Sequence, residues 1–158
     1  MKQKKQSTVP PSIKLLFKND SLDIIKTICL LYSFYLMNKK KFNKVSDIVF
    51  YFSLVNFNLV KLFEKDENNK KVSPNLYFRF QAKINQIVLE LSHLKFIEIK
   101  GDLTNKTNDL GVKLTSEGVD FLMELDKEFF IKLTDEYISV INKVESTSTT
   151  HKIIRGGV

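Results

Sequence analysis

The residue types that carry most protein chemistry are sparse in this chain and poorly spaced for cooperation. His93 ends an apolar stretch and His151 sits in a polar tail; neither has a second His or Cys at ligand spacing, so no metal site is expected. The single cysteine, Cys29, lies among Ile24, Ile28 and Leu31 and reads as a small core hydrophobe. With no second thiol it cannot close an intramolecular disulfide. The acid pairs Asp66-Glu67 and Asp135-Glu136 are of the kind that solvated loops and helix faces carry, and no spacing gathers them with other polar groups into a cleft. Glycine is absent from residues 1–100 and occurs only at 101, 111, 118, 156 and 157, which leaves no phosphate-cradling loop of the Walker or dinucleotide type. Ile154-Arg155-Gly156-Gly157 matches the tails of ubiquitin-like modifiers, but the chain before it reads helical and Val158 follows, so the match is a coincidence. The expectation is a non-enzymatic protein with no catalytic residues and no cofactor.

Binding residues are better represented. The formal net charge is +7, which raises the local concentration of polyanions, yet only Arg79 and Arg155 of the 25 basic residues are arginine. Lysine suits non-specific phosphate contact, whereas bidentate reading of guanine favours arginine. Arg79, Lys83 and Gln86, at spacings of four and three, share one side of a predicted helix; Lys100, Lys106 and Lys113 fall on a predicted hairpin that could reach flanking phosphate. These six are the candidate DNA contacts. The ordinary alternative is a solvated face, and Glu98, Asp102 and Asp109 dilute the hairpin's charge. Thirteen phenylalanines and five tyrosines exceed what so small a core comfortably encloses. Phe129, Phe130 and Tyr137 are therefore candidate interface anchors, for a homodimer or a larger protein, with packing on the chain's own first helix as the alternative.

The elements that must position these residues follow from periodicity. At 158 residues the chain suits one domain, and no apolar run reaches the roughly 18–20 residues needed to span a bilayer. The start of the chain has no secretory pattern, so a cytoplasmic location is expected. Residues 1–11 read as a flexible basic arm ending in Pro10-Pro11, residues 12–145 as the folded domain, and residues 146–158 as a polar, uncapped tail. Within the domain, apolar spacing predicts a buried helix from about Ser21 to Met37, then a lysine-rich loop from Lys39 to Lys44. A second helix, apolar on more than one face, begins near Ser46-Asp47 and breaks at Asn56-Phe57-Asn58; Glu64 to Lys71 is loop. Ser73-Pro74 starts a third helix, to about Leu94, with Leu76, Phe80, Ile84, Ile87, Val88, Leu91 and Leu94 as its core stripe. Tyr77, Gln81 and Glu90 fall off that stripe. The period then changes to two over Lys95 to Lys100 and again over Leu110 to Leu114, a hairpin with a long tip. Thr115 opens a final helical pattern that extends from about 117 to 144.

The predicted fold class is thus mainly α with a small β-hairpin. Three helices, a hairpin and a further C-terminal helix form the order of a winged helix-turn-helix domain, whose third helix meets the partner and whose hairpin, here about 95–115, is the wing. The string from Leu89 to Ile99, followed by Val112-Lys113-Leu114-Thr115-Ser116-Glu117-Gly118, resembles the end of the recognition helix, the first wing strand and the wing exit in the MarR and PadR families. His93-Leu94-Lys95 departs from them, because a glycine usually makes that turn. Together with the apolar stretch Ile24 to Tyr35 and Val45-Ser46-Asp47-Ile48-Val49-Phe50-Tyr51-Phe52, the pattern also resembles the middle component of ABC three-component antiphage systems of the Lamassu type. That resemblance implies an accessory subunit that docks on an SMC-like ATPase and helps couple DNA sensing to an effector subunit. The alternatives are a dimeric DNA-binding transcriptional regulator or a plasmid or phage replication accessory factor.

Overall fold

The computed structural model describes residues 19–64, 75–101, 110–125 and 127–156. In chain order these form α1 (Asn19–Met37), β1 (Asn43–Lys44), α2 (Val45–Asn56), a 3-10 turn (Leu59–Phe63), α3 (Asn75–His93), β2 (Ile97–Lys100), β3 (Gly111–Leu114), α4 (Ser116–Met123), α5 (Lys127–Lys143) and α6 (Ser148–Ile154). The protein is mainly α with one small antiparallel sheet, the class expected from periodicity. The basic arm, most of the Glu64 to Lys71 loop and the hairpin tip that holds Lys106 lie outside the described residues.

Seven consecutive residues of α2, Ile48 to Leu54, are buried. A helix without a solvent face has to run through the middle of the molecule, and α1, α3 and α5 all pack on this one. Phe52 stacks on Phe80 of α3 with ring centroids 3.8 Å apart, and Tyr51 meets Phe34 of α1 edge to face. Two buried serines on these helices are satisfied locally: Ser53 Oγ donates to the Val49 carbonyl at 2.7 Å and Ser33 Oγ to that of Cys29 at 2.9 Å. These two serines then need no polar partner from another element.

The sheet has three strands in the order β1-β3-β2, where the sequence suggests only a hairpin. Asn43 pairs with Val112 and Lys44 with Gly111, so the end of the lysine-rich segment is a strand. Two residues are too few for an alternating pattern to register, which is why this strand was not legible. The turn from α3 into β2 is made without glycine. Lys95 adopts a left-handed φ of 64°, and the N–H groups of Lys95 and Phe96 donate to the carbonyls of Ser92 and Leu91 at 3.0 Å each. That is a Schellman closure with lysine in the position glycine usually takes. Thr115 locks the same corner: its Oγ1 donates to the Lys95 carbonyl at 2.8 Å and accepts from the Gly118 N–H at 3.1 Å, capping α4.

The C-terminal third departs from the single helix expected over 117–144. α4 stops at Met123 and α5 restarts at Lys127. The buried residues explain the break, because Leu125 and Phe130 are five apart and cannot lie on one helical stripe. Nor is the segment after 146 an uncapped polar tail. Thr147 and Thr150 form a reciprocal capping box on α6, and Ile154 is only 1% exposed.

Gly118 is the residue on which the sheet and α4 close. A Cβ there would stand 2.5 Å from the Phe96 carbonyl oxygen and 2.7 Å from Leu114 Cδ1. Backbone cannot yield as a flexible side chain can, so Gly118→Ala is expected to destabilise the fold by about 1–3 kcal/mol. Urea denaturation reads this as a lowered midpoint; an unchanged midpoint would contradict the close packing at this corner.

Candidate functional site

The third helix carries the expected contact residues, but not in the expected arrangement. Its core stripe is Tyr77, Phe80, Ile84, Ile87, Val88 and Leu91. Tyr77, expected off the stripe, is 2% exposed, while Leu76 and Leu94, expected in it, are exposed. The structure does bring Arg79, Lys83 and Gln86 to one side of α3. That side is a flank beside the start of α1, where Asp23 faces Arg79 and Lys83, and Lys83 Nζ lies 3.1 Å from Asp23 Oδ2. One of the three polyanion contacts is thus already engaged with a carboxylate, a half-exposed pair of the kind worth little to stability.

The outermost ridge of α3 is instead Phe78, Ala82, Asn85 and Leu89, at spacings of four, three and four. Phe78 is 43% and Leu89 46% exposed. The sequence contained this signal, since a second set of helical spacings lies opposite the core stripe, but attention to charged positions passes over it. A ridge that is apolar at all but Asn85 suits contact with protein, because a helix that reads DNA needs hydrogen-bonding side chains pointing at base edges and phosphates.

The remaining predicted residues are scattered. Lys113 and Lys100 gather over the Phe42 ring beside the sheet, with Nζ 4.7 Å and 5.8 Å from its centroid, and Lys113 also lies 3.7 Å from Glu98. Lys106 is outside the described residues. Of the three aromatic anchors only Phe129 is exposed. Phe130 turns inward onto Tyr32, ring centroids 5.1 Å apart, and Tyr137 is completely buried. Both are core residues, because the α5 stripe Phe130, Leu133, Tyr137 faces α1 and α2. Outward on α5 is Ile131 beside Phe129, and the exposed Leu36 and Met37 end α1.

A polar constellation that the sequence did not suggest joins α2 to α6. Ser146 Oγ donates to Asp47 Oδ1 at 2.6 Å and lies 2.7 Å from His151 Nε2. A hydroxyl has one proton; with it directed to Asp47, the bond to His151 requires Nε2 to be the protonated ring nitrogen and the donor. The histidine is then unable to take the serine's proton, so the trio is a latch and not an activated nucleophile. Behind it the His151 ring stacks on Phe50, centroids 4.4 Å apart and planes 11° from parallel. Elsewhere burial pushes the Cys29 thiol up to about 12, so it stays protonated and unreactive. Among the described residues no group of three His, Cys, Asp or Glu could hold a metal ion, and no helix is long and apolar enough to cross a membrane.

Burial lowers the pKa of His151 from its ordinary 6.5, and Arg155 lowers it further, while Asp47 opposes them. A lowered value means that the unfolded chain takes up the proton first. Docking of α6 is therefore at full strength above about pH 6.5 and weakens as pH falls toward the folded-state pKa. Amide exchange in α6 should be slower at about pH 7.5 than at about pH 5.5 once corrected for intrinsic rates, and His151→Phe, which keeps the stack, should flatten the difference. Equal corrected protection in the wild type at both pH values would contradict the latch. Comparison of the chain with protein-family models, curated proteins and solved structures finds no match.

Proposed function

We propose that this chain is a non-enzymatic winged-helix accessory subunit that docks on a larger protein through the outer ridge of α3. The observation that carries the proposal is that ridge: Phe78, Ala82 and Leu89 stand where a DNA-reading helix would carry polar side chains, and the basic residues are displaced to its flank. The order α1-β1-α2-α3-β2-β3, with the sheet ordered β1-β3-β2, supports the winged-helix reading. The resemblance to middle components of three-component antiphage systems suggests the partner. It is a cytoplasmic SMC-like ATPase that acts with an effector subunit and senses DNA, to which this chain adds lysine contacts of low sequence preference. Exposed Phe129 and Ile131 on α5 supply a second apolar surface for the assembly.

The second reading is a dimeric DNA-binding regulator. The convergence of Arg79, Lys83 and Gln86 on one flank of α3 favours it.

Expression of the tagged chain with its chromosomal neighbours separates the two. The accessory-subunit reading expects copurification with an ATPase, and loss of the complex in a Phe78→Asp/Leu89→Asp variant whose stability is within about 0.5 kcal/mol of wild type, as befits exposed sites. Recovery of the chain alone as a compact dimer would overturn it. Sequence-specific binding to its own promoter DNA at about 150 mM salt, abolished by Arg79→Glu/Lys83→Glu, would establish the regulator instead.

A further inference from the structure

The beginning of α2, the first half of α3 and the docked C-terminal segment flank an open polar pocket of about 410 Å³. Its size falls within the range of small-ligand sites. Lys44 enters from the end of β1 and Arg155 from the residue after α6, two cations 111 positions apart in sequence that fold onto one cavity. Neither forms an ion pair with a described residue. Gln81 on α3 and Ser46 on α2 line the same cavity with neutral donors. Tyr77, buried in the wall, lines the cavity beside Arg155, whose guanidinium has several N–H groups to offer. Among the described residues the one acid in the lining, Asp47, is occupied with the latch, accepting from Ser146 and facing His151 at 3.9 Å.

We propose that this pocket binds a phosphate-class oxyanion, clamped between Lys44 and Arg155 with Ser46 and Gln81 as additional donors. Guanidinium and ammonium together match a phosphate's several oxygens with charge-assisted hydrogen bonds, and the neutral donors in the lining add to them. The phosphate can belong to a free nucleotide or to a nucleic-acid backbone, since both present the same group. The site is separate from the α3 ridge and stands or falls without reference to the docking partner. It also gives the C-terminal segment a role, because Arg155 reaches the cavity only when α6 is latched to α2.

The test is a titration of the full chain with sodium pyrophosphate, followed by amide chemical shifts, with sodium chloride at matched ionic strength as control. Saturable shifts at Lys44, Ser46 and Gln81 are expected, weakened by about ten-fold or more in both Lys44→Ala and Arg155→Ala and unchanged in Arg79→Ala. Should Arg155→Ala undock α6, Lys44→Ala, which lies outside the latch, still decides. Shifts that fail to saturate, that sodium chloride reproduces, or that persist in Lys44→Ala would overturn the site. Competition then identifies the source: displacement of pyrophosphate by ATP alone assigns a free nucleotide, and displacement by a short DNA duplex assigns a backbone phosphate. Displacement by neither would overturn the assignment to a phosphate-bearing ligand.

Discussion

The hydroxyl of Tyr137 is the point at which three helices are tied. Completely buried on α5, it donates to the Lys26 carbonyl of α1 at 3.0 Å and accepts from Asn56 Nδ2 of α2 at 2.7 Å. Burial holds its pKa well above the ordinary value, so the donor is never lost to ionisation. A buried polar atom is stabilising only when its hydrogen bonds are made, and these can be made only with α1, α2 and α5 in one relative position. A second tyrosine continues the seam. Tyr51 of α2 donates to the Val144 carbonyl just past the end of α5 at 2.8 Å. From there the chain reaches Ser146 and the latch, so the placement of α6 follows from that of α5.

This seam decides which surfaces are left for function. It commits Phe130, Tyr137 and residues Ile48 to Leu54 of α2 to the interior, and antiparallel packing of α5 on α1 places Phe129 and Ile131 at the end where Leu36 and Met37 emerge. What remains outward is apolar along the α3 ridge and basic on its flank and beside Phe42. Between α2, α3 and α6 it is polar and cationic. These surfaces differ in chemistry and occupy different faces, which allows protein and anion contacts to coexist.

Much of the architecture was legible because strong periodic signals agree with the fold. The break at Asn56 to Asn58 and the period change after Leu94 are present in the structure, while Ser73-Pro74 lies outside the described residues. Thr115 to Gly118 was legible as a helix start, and the structure adds why glycine stands there: no side chain fits between Gly118 and the Phe96 carbonyl. Other features depend on partners distant in sequence. Nothing local distinguishes Tyr137 as a core tyrosine from an interface anchor until α1 and α2 supply its hydrogen bonds. The α6 latch was missed because Ser146, Thr147 and Thr150 read as low-complexity polar residues, although Thr147 and Thr150 have the spacing of a capping box. The basic count suggested nucleic acid, but charge alone does not say that Lys83 faces Asp23.

The claim that the C-terminal helices are part of a single fold, leaving partner contact to the outward faces, is tested most directly by equilibrium denaturation of Tyr137→Phe. The substitution keeps the ring and strips the Lys26 carbonyl and Asn56 of a partner. One cooperative transition is expected, with stability reduced by about 1–3 kcal/mol. An unchanged midpoint, or a wild-type C-terminal segment that melts in its own earlier transition, would contradict the account.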